Sequence, residues 1–306
     1  MQELKAPGAK IEDVFKRVRL QVRRQSEGRQ VPWESTSLED DFYFDPSVRP
    51  ARLGDVGRAR EGLAALETES AEWARIKDSK SPDDFYAFLQ KYPNGLISEQ
   101  AQFRLDQLQK AKVRVQPNAG GVQALASGTN RFVVGDEFVI DRIDGYTKEA
   151  KRRTVRVTFA DNDRDELNNG VTIVDQMGGV LLNETGRKEP PLASAPGDLA
   201  VGKRWRSAFV NTNPSGGKTS NFYDFKVVAF EEITVPAGRF MAYKVERSGE
   251  ARSQETYTVL TGTAWIDPTT MYAVRNDTMF RSGGKITAHW SDVLVSARRA
   301  LRPTVP

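Results

Sequence analysis

VVGDEFVIDRIDGYTKEAKRRTVRVTFA, residues 133–160, decides how this chain is read. Val155, Val157 and Phe159 alternate with Arg156 and Thr158, which is the period of a half-buried strand. Asp144-Gly145 separates that run from the one around Phe138 and Ile140, as the turn of a β-hairpin does. We expect strands near 132–143 and 148–159, and the same period recurs near 171–176, 204–211, 221–230, 239–248, 255–266, 271–280 and 285–296. The runs are separated by Asn169-Gly170, Pro236-Ala237-Gly238 and Ser282-Gly283-Gly284, with no helical pattern between them. Many strands joined by short turns predict a large antiparallel sheet, open and curved or closed as a barrel. Val134-Gly135-Asp136-Glu137-Phe138 and Val201-Gly202-Lys203-Arg204-Trp205 echo each other at two strand starts, as in one domain built from two related halves.

N-terminal to this region the period is helical. Ile11, Val14, Phe15, Val18 and Val22 form one apolar stripe, and Lys16, Arg17, Arg19, Arg23 and Arg24 read as a solvated basic face. Leu63, Leu66, Trp73 and Ile76 mark a second helix. Ser81-Pro82 opens a third with Phe85, Phe88 and Leu89 on its apolar face. After the break at Pro93-Asn94-Gly95, Ile97, Ala101, Leu105 and Leu108 carry a fourth. Residues 115–130, rich in Gly, Ser, Asn and Ala, read as a linker. The fold class expected is α+β, with an N-terminal helical region followed by an antiparallel sheet or barrel-like domain at 131–300.

Composition removes several chemistries. The 306 residues contain no cysteine and one histidine, His289, so disulfides, a thiol nucleophile and a histidine pair are excluded. The net charge of +4, from 45 basic and 41 acidic residues, is spread along the chain, so no nucleic-acid partner is expected. No run approaches the roughly 18 apolar residues of a membrane span. Residues 1–19 carry no apolar export signal, so the location as written is cytoplasmic.

Residues 7–44, PGAKIEDVFKRVRLQVRRQSEGRQVPWESTSLEDDFYF, resemble the C-terminal end of the catalytic domain in bacterial caspase-like, metacaspase-type cysteine peptidases. Gln30, Pro32, Trp33, Glu34, Ser37, Leu38, Asp41 and Phe42 carry the likeness. Trp73 to Ser79 and residues 85–105 resemble the tetratricopeptide-like segment that follows that domain. Residues 201–205, 226–246 and 263–277 look like uncharacterised bacterial envelope β-domains. The resemblance implies a truncated caspase end at 1–50, a helical connector at 51–114 and a periplasmic or secreted location for full-length relatives. It implies a non-catalytic portion of such a protein, with the β-domain as a binding or structural module. The alternative it implies is a cysteine endopeptidase active only when a His and Cys segment is supplied.

Other motifs resolve to loops or core. Asn213 to Thr219 lacks the first glycine of a phosphate-binding loop and precedes a strand, so a hairpin is expected. Asp161, Asp163 and Asp165 have calcium-loop spacing without the glycine and glutamate that complete it, so a solvated turn is expected. Glu231 and Glu232 point to opposite strand faces and form no acid and base pair. No cofactor, metal or catalytic residue is expected. Among Phe138, Trp205, Phe209, Phe222, Phe225, Phe230, Phe240, Tyr243, Tyr257 and Trp265, most read as sheet core. The sharper expectation is an apolar pocket lined by Phe138, Trp205, Phe225, Tyr243 and Trp265, open to a lipid-like or protein partner.

Overall fold

In a computed structural model of the chain, the residues described are 10–32, 42–43, 55–110, 132–161, 163–176, 178–253, 255–269 and 272–300. They fall into two compact units, residues 1–126 and 127–306. The expected linker at 115–130, and Trp33, Asp41 and Phe44, lie outside the described residues.

The first unit contains α1 (Ile11–Gln25), α2 (Asp55–Ile76), α3 (Pro82–Lys91) and α4 (Ser98–Lys110). Their spacing of apolar residues brings Val14, Leu66, Phe85, Phe88, Leu89, Ile97, Ala101 and Leu105 into one core. Glu69 of α2 is buried and accepts the backbone N–H groups of Leu96 (2.8 Å) and Ile97 (3.0 Å), the orphan donors just ahead of α4. Two expectations are corrected here. Phe15 and Val18 are exposed, whereas Arg23, read as solvated, is buried, donating to Gln109 at 2.6 Å and meeting Asp106 at 2.5 Å. A guanidinium can enter a core when acceptors from another helix meet it there, and α4 supplies two. The segment read as the last edge of a peptidase sheet instead meets α1: Tyr43 forms an isolated antiparallel bridge with Lys10, and Phe42 accepts the N–H of Ile11 at 3.0 Å.

The second unit is a closed antiparallel barrel of twelve strands. In order they are β1 (Glu137–Asp144), β2 (Ala150–Ala160), β3 (Arg164–Leu167), β4 (Thr172–Asp175), β5 (Val180–Asn183), β6 (Gly186–Glu189), β7 (Arg204–Thr212), β8 (Lys218–Val235), β9 (Gly238–Arg252), β10 (Tyr257–Asp267), β11 (Tyr272–Ser282) and β12 (Lys285–Arg298). Each pairs with its chain neighbour, and β1 pairs with β12 to close the circle. β3, β5 and β6 lie outside the strands expected from alternation. Each is four residues long, too short for alternation to register.

The sequence echo has a structural counterpart. Gly135 (φ 95°) donates to Val157 O and Val157 donates back to Asp136 O, both at 2.9 Å. Gly202 (φ 90°) donates to Val227 O and Val227 donates back to Lys203 O, also at 2.9 Å. Each turn needs a left-handed residue, hence glycine, and each launches a strand whose aromatic, Phe138 or Trp205, is buried. The chain thus repeats one construction at β1–β2 and β7–β8, dividing the barrel into two halves of six strands each.

One end of the barrel is filled. The β8–β9 hairpin folds inward, with the N–H of Ala237 donating to Leu294 O of β12 at 3.2 Å. Val235, Ile233, Phe240 and Ala242 then pack with Phe138, Ile140, Val174, Val274 and Leu294 in a single apolar cluster. Beneath it Asp136, fully buried, accepts the N–H groups of Val133 (3.0 Å) and Ala300 (2.8 Å) and pairs with Arg299 (3.1 Å). This carboxylate clasps the beginning of the barrel to its end.

Two outcomes follow for stability. Asp136→Ala strands two backbone donors and a guanidinium, and is expected to cost about 3–4 kcal/mol. In a domain of this size that lowers Tm by roughly 6–15 °C, with Asp136→Asn losing less; a melt followed by circular dichroism measures both. Acid should also weaken the barrel. The hydrogen bonds from Arg156 and Arg152 hold Glu137 and Asp141 below their ordinary values of 4.5 and 3.8, and turn N–H groups do the same for Asp144 and Asp161. Their stabilisation is complete above about pH 5 and is lost as pH falls below the ordinary values through the lowered ones. Tm should be flat from pH 7 to about 5 and fall below it, with a shallower fall in Arg156→Gln.

Candidate functional site

Register identifies which side chains share the barrel interior, because directly opposed residues point to the same face. One row runs Phe225, Arg247, Gly262, Thr278, Trp290 across β8 to β12. A second runs Val227, Val245, Ala264, Asn276, Asp292 and on to Arg142 of β1. A third holds Tyr223, Gly249, Leu260, Phe280 and Ala288. Val227, Val245, Leu260 and Thr278 are buried, so these rows face inward. The intervening outer row, Lys226, Glu246, Thr263, Asp277 and Ser291, is polar throughout. A barrel crossing a membrane needs an apolar outer band, and this row contributes nothing to one.

Polar groups converge inside. Asp292 receives two hydrogen bonds from Arg142, at 2.7 and 2.8 Å, and faces Arg153 at 3.5 Å. Arg142 in turn lies over the Trp290 ring at 4.9 Å, and Trp290 stacks on Phe280 at 5.5 Å. Arg247 crosses β10 at Gly262 to donate to Asn276 (2.9 Å) and Thr278 (2.5 Å) of β11. A Cβ at Gly262 would stand 2.8 Å from Arg247 Nε, so glycine here is the space the guanidinium passes through. Gly249 gives Tyr223 the same passage, since a Cβ there would meet its ring at 2.2 Å.

The electrostatics follow from depth. Burial pushes the Arg247 pKa down, opposed by Tyr223 and Asp292, and pushes the Tyr223 hydroxyl up, opposed by Arg247. Burial also raises Tyr272, which stacks on Phe138 at 4.5 Å, with Arg153 opposing. The Asp292 hydrogen bond raises Arg142, and Glu184 contributes in the same direction. Two buried donors, Arg247 Nε and Trp290 Nε1, have no acceptor among the described residues. Such donors are costly to leave unmet and are infrequent in folded proteins.

The interior is not packed solid along these rows. Tyr223, Arg247, Asn276, Phe280 and Trp290 face inward yet are only half-buried, so the inner face keeps accessible surface along these rows. Side chains just fill a barrel of about eight strands, and twelve enclose more. The space has a charged approach. Among the described residues β2 pairs with β3 only over Val157–Ala160, leaving its first half, with Arg153, beside solvent. Arg142 and Arg153 remain 41% and 49% exposed, whereas Arg247 is deep.

The expected pocket residues are distributed differently. Phe138 belongs to the filled end, with Trp265 packed against the same cluster. Trp205 stacks on Phe225 at 4.8 Å and donates to Ala193 O at 2.8 Å, which ties the segment before β7 to the inner wall. Tyr243 lies against the exposed Phe230 at 4.7 Å. Trp265 donates to Glu231 at 2.8 Å with Lys244 and Arg275 near its ring. Phe225 lies on the Arg247 row, and Trp205, directly opposite it on β7, extends that row. The residues that do line the space, Arg142, Arg247, Asn276, Trp290 and Asp292, were missed. Gly262 inside a strand opposite an inward arginine is the signal that could have revealed them.

The remaining motifs serve turns. Asn213 Oδ1 accepts from Gly217 N at 2.7 Å in the β7–β8 hairpin. Asp161 Oδ1 accepts the N–H groups of Asp163 and Arg164 at 2.8 Å, and no group of three metal-ligating side chains occurs among the described residues. His289 faces Gly145, whose N–H donates to His289 O at 2.8 Å.

Gly262→Ala is expected to displace Arg247 and cost about 1–3 kcal/mol in a chemical denaturation midpoint. The loss should be smaller in an Arg247→Ala background; an equal loss would assign the requirement to the nearby Asp277 carbonyl instead.

No family model matches the chain, and no curated protein matches it. Solved structures that match include a protein from Parabacteroides distasonis ATCC 8503 designated a lipoprotein, at 14% identity and TM-score 0.38 over 56% of this chain and 99% of that one. An exported protein with YmcC-like fold from Bacteroides fragilis NCTC 9343 matches at 13% and 0.30, over 55% and 97%. The hypothetical lipoprotein YmcC from Escherichia coli K12 matches at 13% and 0.32, over 54% and 85%. Two of these proteins are thus designated lipoproteins and one an exported protein. They also correct the resemblance drawn from residues 7–44 and 73–105. No caspase-like, metacaspase-type, peptidase or tetratricopeptide relative is found, so neither the non-catalytic caspase portion nor the endopeptidase alternative stands. Of the residues that carried the peptidase likeness, Trp33, Glu34, Ser37, Leu38 and Asp41 lie outside the described residues, and the stretch before them forms the amphipathic helix α1.

Proposed function

We propose that the barrel is a binding module that takes a small molecule with an apolar body into its interior. The observation that carries this reading is the half-buried set Tyr223, Phe280 and Trp290 on the inner face of a closed barrel. Aromatic surface left accessible inside a protein is costly in water and favourable against an apolar ligand, at about 25 cal/mol per Å² covered. The filled end supplies a floor, through the β8–β9 hairpin docked on β12. The polar outer face supports a module that carries its ligand in an aqueous compartment rather than one lying within a bilayer. A few polar groups placed among aromatic ones is the usual composition of a small-molecule site.

N-phenyl-1-naphthylamine, a neutral apolar fluorophore, tests the reading with the full chain. Saturable enhancement at one dye per chain is expected, and Ala288→Phe, which fills the interior beside Phe280, should weaken it about tenfold or more. Enhancement that never saturates, or that Ala288→Phe leaves unchanged with the melt intact, overturns the proposal.

A further inference from the structure

We infer that the polar end of this ligand is an oxyanion, held between Arg247 and Trp290. The inference rests on the interior-binding reading and adds the chemistry of the head group. Its first support is the pair of unmet donors. Arg247 Nε–H and Trp290 Nε1–H are buried without an acceptor among the described residues, and both belong to one inward row. Thr278, directly opposite Trp290, already receives Arg247 Nη2, so the guanidinium is oriented toward the indole across a single strand. Two donors on one inward row, from β9 and β12, match an acceptor with two oxygens better than a lone hydroxyl.

The second support is charge. Arg142, Arg153 and Arg247 meet one interior carboxylate, Asp292, and Glu184 reaches Arg142 only as its weakest influence. Lys151, directly opposite Arg142, adds a further cation on the same face, so cations outnumber carboxylates around this end of the interior and favour an anionic head group. Arg142 at the solvent side and Arg247 at depth also grade the approach, drawing an anion inward past the open edge of β2. The third support is hydrogen bonding at low dielectric. Arg247 is fixed by Asn276 and Thr278 before any ligand arrives, so a bound anion gains a preoriented partner with little ordering cost.

A carboxylate on an acyl chain and the phosphodiester of a lysophospholipid share this chemistry, and the test separates them. Displacement of N-phenyl-1-naphthylamine is measured below micelle-forming concentrations for dodecanoate, dodecanol and a lysophosphatidylglycerol. Dodecanoate or the lysolipid should displace dye at about tenfold lower concentration than dodecanol, with the better of the two naming the source. Rising salt should narrow the gap. Arg247→Gln should abolish the acid's advantage while dodecanol is unaffected. Trp290→Phe, which keeps the ring stacking and removes only the indole donor, serves if Arg247→Gln fails to fold, and should lower the acid's advantage severalfold. Equal displacement by acid and alcohol overturns the inference and leaves the apolar reading standing. Absence of saturable dye binding in the wild type removes both.

Discussion

The seam between β1 and β12 is the constraint on which the barrel depends. Every other pairing joins strands adjacent in sequence, whereas this one joins residues about 150 positions apart, as Arg142 and Asp292 are. It converts a meander with two exposed edges into a closed wall, which among the described residues stays open beside the first half of β2, and so reduces the liability of unpaired strand edges. Among the interactions that hold it beyond the ladder itself are the Asp136 clasp on the chain end and the bidentate Arg142–Asp292 pair within the wall. The first is fully buried and structural. The second sits at the edge of the interior space, so the group that helps close the barrel also conditions its chemistry.

The interior differs from a simple hydrophobic core for a geometric reason. Closing twelve strands encloses more room than side chains from the inner face occupy, and the chain fills only one end, with the folded β8–β9 hairpin. The remaining length carries aromatic rings and charged groups in alternate rows. Burying Arg247 costs several kcal/mol of desolvation, offset in part by Asn276 and Thr278. The unmet Nε–H shows that the offset is incomplete within the protein itself, which is how binding groups differ from groups retained for stability alone.

Much of this fold was legible in the sequence. Alternation located β1, β2, β4 and β7 to β12, because each keeps one buried face, and the Gly135 and Gly202 echoes marked equivalent turns. The four-residue β3, β5 and β6 were not legible, since so short a run cannot display a period. The site was illegible for a different cause. Its members sit on β1, β9, β11 and β12, and only register and closure make them neighbours. Aromatic content led instead to Tyr243 and Trp265, which lie away from the Arg247 row, because hydrophobicity alone does not say which face of a strand a residue occupies. The helical region erred through wording: a helix with a Pro-Trp turn after it matched a pattern, while the burial of Arg23 depended on α4, far along the chain.

The repeated glycine turns have an evolutionary consequence. A six-strand half standing alone would present two open edges, and the least costly way to satisfy them is to pair with a second copy of itself. Two such halves related by a twofold axis would already form a closed wall. Joining them in one chain makes the two faces of the interior free to diverge, so that charge can accumulate on one side without being mirrored on the other. The Arg247, Asn276 and Thr278 arrangement lies wholly on strands of the second half, with Arg142 and Arg153 contributed across the seam by the first. Such an asymmetric interior is available to one chain and denied to a symmetric pair.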